Sequence, residues 1–479
     1  MPSSTTDSVA STTKTTGDLK EPTANHPNYP SASPYHAELE PVTSRTGAHN
    51  LPDPGEEPDA ELEKALDQHE KPPPALDPSA FPDGGAKAWL AVLGGFFCMF
   101  CSFGWINCIG VFQDYYTTHM LKQYSPSVVA WIPSLEAFMM FFGGPFIGAI
   151  YDNFGPRYLL LAGSFFHVFG IMMTSLAKKY YQFILAQGIC SALGASCVFY
   201  PAMTCVSTWF FKKRALAMGI MASGSSLGGV IFPIMVEHLI GDVDFGWTMR
   251  ICGFLILALL TISNATLTSR LPPTRKPVVL SDFVTPFTEV PFVLVTFGGF
   301  LFFFGMFLPF NFVISEAVEI GMSQRLAGYL LAVLNADSTF GRIIPGYLGD
   351  KLGRFNVLTV MSYFAGILVL ALWLPAKANA PIIVFSGLYG FASGAFVSMI
   401  PACVAQISDI RKIGVRNGAL FAVVSFAALT GSPIGGALVS HHHGSYKQLQ
   451  IFAGVMLLAG STCFLMARMV LAGPTLKKV

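Results

Sequence analysis

Charge is what this chain has least of. Only 12% of its 479 residues are Asp, Glu, Lys or Arg, about half the roughly 25% usual in soluble domains. The net charge is +1, and no basic stretch interleaved with aromatics is present, which argues against a nucleic-acid partner. The chain also lacks a GxxxxGK[ST] phosphate loop, so nothing points to a nucleotide-driven pump. No secretory leader is expected, because the first apolar run begins near Ala88. The nine cysteines lie in or beside apolar runs and outline no disulfide framework. Cys98 and Cys101 have CxxC spacing but no second pair or His to complete a metal set. No metal or cofactor is expected. With no nucleophile–base constellation visible, neither is an enzyme.

What remains is apolar. The chain is 52% hydrophobic with a mean hydropathy of +0.54, gathered into runs of about 20 residues, the length that crosses a bilayer core as a helix. Twelve such runs lie near 88–111, 128–150, 158–177, 181–206, 213–238, 247–267, 290–314, 325–347, 357–376, 381–405, 414–438 and 450–471. The expected fold is an all-α membrane protein of twelve transmembrane helices. Residues 1–85 are read as a disordered tail, too polar to offset chain entropy. A six-helix bundle over 86–268, a linker at 269–288, a second bundle over 289–472 and a short tail at 473–479 follow. With both termini inside, the inner loops carry twelve Lys or Arg and the outer loops seven, which favours cytoplasmic termini.

The two halves echo each other. "LGGFF" at 93–97 returns as "FGGFL" at 297–301, "GASCVFYPA" at 194–202 as "GAFVSMIPA" at 394–402, and "GSSLGG" at 224–229 as "GSPIGG" at 431–436. Their near-constant offset implies two parallel repeats related by an axis along the membrane normal. The GxxxG pairs Gly224/Gly228 and Gly431/Gly435 are expected to pack across the interface between bundles.

The most informative echo is charged. "GAIYDNFGPR" at 148–157 and "GYLGDKLGR" at 346–354 each fall between the second and third runs of their half. Gly148, Asp152, Gly155 and Arg157 in one copy, and Gly346, Asp350, Gly353 and Arg354 in the other, form short turns on one side of the membrane. Their acids can pair locally, with helix ends, or with a helix of the neighbouring bundle. A contact made only when that side is shut would act as a latch.

These turns resemble the loop 2–3 signature of the major facilitator superfamily and its second-half counterpart, over roughly residues 85–472. "PDGGAKAW" at 82–89, with Asp83, Gly84, Gly85 and Trp89, is similar to the opening of monocarboxylate-porter-like members. "WFFKKRALAMGIMASG" at 209–224, with Arg214 and Gly219, is similar to their entry into span 5. The resemblance is to the fungal branch, whose members include organic-acid, riboflavin and secondary-metabolite carriers. It implies the major facilitator fold and alternating access.

Polar residues at mid-membrane mark the candidate site. In "LNADSTFGRIIPGYLGD" (334–350), Asn335, Ser338 and Arg342 share one stripe of an oily helix. Arg342, eight residues before Asp350, lies about 12 Å into the membrane and is placed to meet an anionic or carbonyl group of a substrate. Asp337 and Glu136 are the candidate proton-coupling acids; His167 is read as structural. Animal proton-linked monocarboxylate carriers have a lysine in span 1 where this chain has Asn107. Ser338 stands where they carry the acid paired with the span 8 Arg. With Phe304 among the phenylalanines of span 7, the cavity is expected to take a larger amphiphilic molecule rather than a short acid. The leading expectation is a monomeric secondary transporter in the plasma membrane, exporting a secondary metabolite, with or without coupled protons. The alternatives are uptake of a monocarboxylate, another organic acid or a riboflavin-like vitamin, and a non-transporting receptor built on the carrier fold.

Overall fold

A computed structural model describes residues 81–273, 281–475 and 477–479. Expectations for residues 1–80 and 274–280 lie outside the described residues. All regular structure among the described residues is helical. Eleven helices are long and apolar enough to cross a membrane: spans 1 (Ala86–Met120), 2 (Ser127–Phe154), 3 (Pro156–Thr174), 4 (Tyr180–Trp209), 5 (Arg214–Val243), 6 (Phe245–Thr266), 7 (Val290–Glu319), 9 (Arg354–Trp373), 10 (Asn379–Gln406), 11 (Ile410–His441) and 12 (Lys447–Ala472). The remaining run of the twelve is a continuous helix, Gln324–Leu352, called span 8. It is equally long but more polar, because it carries Asn335, Asp337 and Arg342.

Three details depart from expectation. Residues 81–85 are not a disordered end of the tail: Phe81 is 8% exposed and Asp83 accepts hydrogen bonds from three backbone N–H groups. Span 1 is not one uniform helix but breaks at Ser102 and at Asn107–Cys108, with π-helical turns at its end. The Ser102 hydroxyl donates to Cys98 O at 2.6 Å and Asn107 Nδ2 to Phe103 O at 3.3 Å, side-chain bonds of the kind that bend helices. The glycines of "GSSLGG" and "GSPIGG" pack mainly inside their own halves. A Cβ at Gly224 or Gly228 would strike Phe96 or Phe100 of span 1, and one at Gly435 would meet Leu308 and Phe312 of span 7.

The internal repeat is visible in packing. Gly94 of span 1 abuts Thr266 and Leu267 at the end of span 6, and Gly298 of span 7 abuts Cys463 and Phe464 of span 12. The halves meet along two helix pairs, span 2 against span 11 and span 5 against span 8, where backbones touch through small residues. Gly144 lies on Gly418 and Gly148 on Gly414 in the first seam; Gly219 lies on Arg342 and Gly346 on Ala215 in the second. Any side chain at these glycines would push the seams apart.

Candidate functional site: two cross-half acid contacts and a buried arginine

The charged turns sit where the seams end. Gly155 (φ 77°) and Gly353 (φ 106°) close spans 2 and 8 in the left-handed region, which a side chain disfavours. The preceding acids cross to the opposite half. Asp152 accepts the backbone N–H groups of Gly414 (3.2 Å) and Val415 (2.9 Å) near the start of span 11. Asp350 accepts those of Ala215 (3.0 Å) and Leu216 (2.9 Å) at the start of span 5. Each carboxylate satisfies N–H groups that the helix itself leaves open, at its positive dipole end. Arg354 pairs with Asp350 at 3.1 Å and donates to Phe211 O across the seam at 2.6 Å. Arg214 donates Nη1 to Ala405 O of the other half at 3.1 Å. Arg157 is exposed and makes no ion pair among the described residues.

Above the first seam the fastening is aromatic. Phe141 of span 2 stacks on Phe421 of span 11, with ring centroids 5.6 Å apart, and lies edge-on to Phe303 of span 7. Phe199 and Tyr200 of span 4 also meet Phe421. Above the second seam it is polar. Arg342, 4% exposed, donates Nη1 to Ala222 O at 2.5 Å and to the Ser225 hydroxyl. Its Nε has no partner among the described residues. Ser226 donates to Ser338 at 3.2 Å.

A narrow pocket opens beside the guanidinium. Arg342, Ser338 and Asn107 line it together with Phe103, Met306, Phe307, Phe310, Ser393, Gly394 and Val397. The Phe103 ring lies 5.9 Å from the guanidinium, within cation–π range. Asn107 Nδ2 also contacts Ser225 O, at 3.4 Å.

Two expected lining residues lie elsewhere. Asn335 sits a turn away, in the seam beside Gly229, bonded to Leu331 O. Phe304 packs on Phe300 and Phe452, because Phe303, Phe307 and Phe310 occupy the inward helical phase and residue 304 is turned about 100° from it. Phe103, Phe307, Phe310, Ser393 and Ser225 were not singled out from the sequence. The repeat of Phe at positions 303, 307 and 310 was the available clue.

The candidate acids are separate from the pocket. Asp337 is half-buried beside Gly387 of span 10. Glu136 is buried and accepts from Gln187 Nε2 at 2.8 Å; Gln187 Oε1 in turn accepts from Tyr116 at 2.6 Å. Gln187 lies in a π-helical stretch, Ile184–Ser191, a distortion often found at functional sites. The other half holds a counterpart that sequence reading missed: Glu316 accepts from Gln450 at 2.6 Å. His167 is buried, its ring nitrogens meeting Ser191 and Cys101.

The duplicated bundle, its paired charged turns and its buried arginine define a class, and comparison with known proteins names it. The family model described as Major Facilitator Superfamily matches residues 92–387 and 296–478, and the chain belongs to that family of multi-pass membrane transporters. It is 55% identical over 402 residues to MFS-type transporter 1 of Ophiocordyceps sp. (strain BCC 1869), covering 84% of this chain and 90% of that one. It is 47% identical to the Fujikurins efflux protein of Gibberella fujikuroi, covering 86% and 89%. Among solved structures, the Escherichia coli fucose:proton symporter superposes with a TM-score of 0.64 at 14% identity, covering 79% of this chain and 98% of that one, a likeness of fold alone.

Proposed function

We propose that this protein exports an amphiphilic secondary metabolite bearing an anionic or carbonyl group, by alternating access across the plasma membrane, with both termini cytoplasmic. The observation that carries this reading is Arg342. A guanidinium buried at mid-membrane is costly unless it serves a cavity; this one borders a pocket and has no partner for its Nε among the described residues. Phe103, Phe307 and Phe310 supply apolar surface for the body of the molecule, while Asn107, Ser338 and Ser393 offer hydrogen bonds. Export is supported by efflux relatives such as the Fujikurins protein and by the absence of the span 1 lysine that short-acid carriers possess. The small pocket and the tight seams fit a state closed on the Asp152/Asp350 face, which must separate to admit substrate from the cytoplasm. In this reading Asp152 and Asp350 are the latch, and Gly148 and Gly346 permit its closure. Glu136 and Asp337 remain the acids to test for proton coupling.

The experiment is metabolite profiling of a deletion strain, in cells and in medium. Export predicts an amphiphilic compound retained in cells and depleted from the medium, restored by the wild-type chain and not by Arg342→Ala at equal membrane abundance. A compound left unconsumed in the medium would instead mean uptake.

A further inference from the structure

The stretch that leads into span 1 has a place in the structure that neither gate nor pocket uses. Asp83, with φ 48°, accepts on Oδ1 the backbone N–H groups of Phe211 (2.8 Å), Lys212 (2.7 Å) and Lys213 (3.1 Å). Its own N–H donates to Trp209 O at 3.3 Å. The 4–5 connection is thus wrapped on one carboxylate, and Trp89 seals it by packing on Phe210 with ring centroids 5.2 Å apart. All of this stays within the first half.

Phe81 does not. Its ring clusters with Ala405 at the end of span 10 and Ile410 and Ile413 at the start of span 11, flanking the 10–11 connection of the other half, and with Leu271 of the linker. The Arg270 guanidinium lies over it at 4.4 Å, and Arg214 and the Phe211 ring lie at 5.6 Å and 5.5 Å. Phe81 therefore wedges between the two connections that feed spans 5 and 11, the helices whose starts Asp350 and Asp152 hold. When these connections part, Asp83 keeps Phe81 with the first half, and the ring must leave the apolar cluster of the second.

We infer that Phe81 is a gating residue, a cross-half fastener of the closed gate. The inference rests on the proposed role of Asp152 and Asp350 as a latch.

Hydrogen exchange of the full-length chain in lipid nanodiscs, read by mass spectrometry, tests it without a substrate. Peptides covering 213–218 and 411–418 contain the amides that the two carboxylates hold; a peptide over 385–396, inside span 10, reports general loosening. Loss of a buried Phe side chain predicts that Phe81→Ala speeds exchange of both gate peptides by about tenfold with the span 10 peptide unchanged, while Phe81→Leu stays within about threefold of wild type. Unchanged exchange over 411–418 in Phe81→Ala, or equal acceleration over 385–396, overturns the inference. The double variant Asp152→Asn/Asp350→Asn separates the two readings. If it accelerates both gate peptides and Phe81→Ala does not, only Phe81 fails; if it accelerates neither, the latch itself fails.

Discussion

The two seams are built on one plan and filled with different chemistry. In each, an acid at the end of one helix holds the first N–H groups of a helix from the other half, and small residues let the backbones touch. Beyond the glycines they diverge. The 2/11 seam continues into stacked phenylalanines, whereas the 5/8 seam continues into Arg342, Ser225 and Ser338. Ring contacts are non-directional and can part and re-form in several arrangements; a buried guanidinium needs specific acceptors. On the proposed function, the first seam would only close, whereas the second would both close and recognise. The duplication gave both seams the same acid-to-helix-start contact, and the proposed function assigns recognition to the 5/8 side alone.

Substitutions can break or sharpen this contrast. The largest effect is expected from Arg342→Ala, which removes the buried cation of the 5/8 seam: export of the compound retained by a deletion strain should fall to background, with membrane abundance unchanged. Phe421→Leu, in the other seam, should retain most of the flux; equal losses would erase the distinction. Next comes Gly148→Ala, whose Cβ would collide with the backbone of Gly414. It should hold the 2/11 seam apart and accelerate amide exchange over 411–418 more than Asp152→Asn does. Asp152→Asn weakens two hydrogen bonds and a helix-dipole contact, together worth about 1–2 kcal/mol, or roughly five- to thirtyfold in opening of that contact by the same measurement. The smallest contrast is between the two basic residues. Arg354→Ala loses a bond to Asp350 and one across the seam and should accelerate exchange over 213–218 a fewfold. Arg157→Ala, at an exposed position, should leave 411–418 unchanged.

Much of this was legible beforehand, for identifiable reasons. The span positions follow from hydropathy because a bilayer demands about 20 apolar residues whatever the neighbours are. The paired turns, and the possibility that their acids reach a neighbouring bundle's helix, were visible because Gly and Asp at that spacing have few other uses beside a membrane helix. Arg342, Ser338 and Asn107 were placed at a cavity because buried polarity is rare there, and they do share one pocket. Phe304 was misplaced, since four phenylalanines among residues 300–304 look alike until the helix is rotated against its neighbours. Gly144 and Gly418 passed unnoticed among 46 glycines, and Glu316 was hidden because its partner Gln450 is 134 residues away.

Composition and periodicity alone determined that the chain is a membrane-spanning helical repeat with a charged turn in each half, since those properties rest on solvent transfer and on local backbone geometry. Only the tertiary structure decided that each acid reaches helix starts in the opposite half, which rings meet at the seam, and that Phe81 wedges between the halves. Such contacts depend on the rotation and separation of whole helices, set by the sum of many weak packing terms that no local stretch of residues contains.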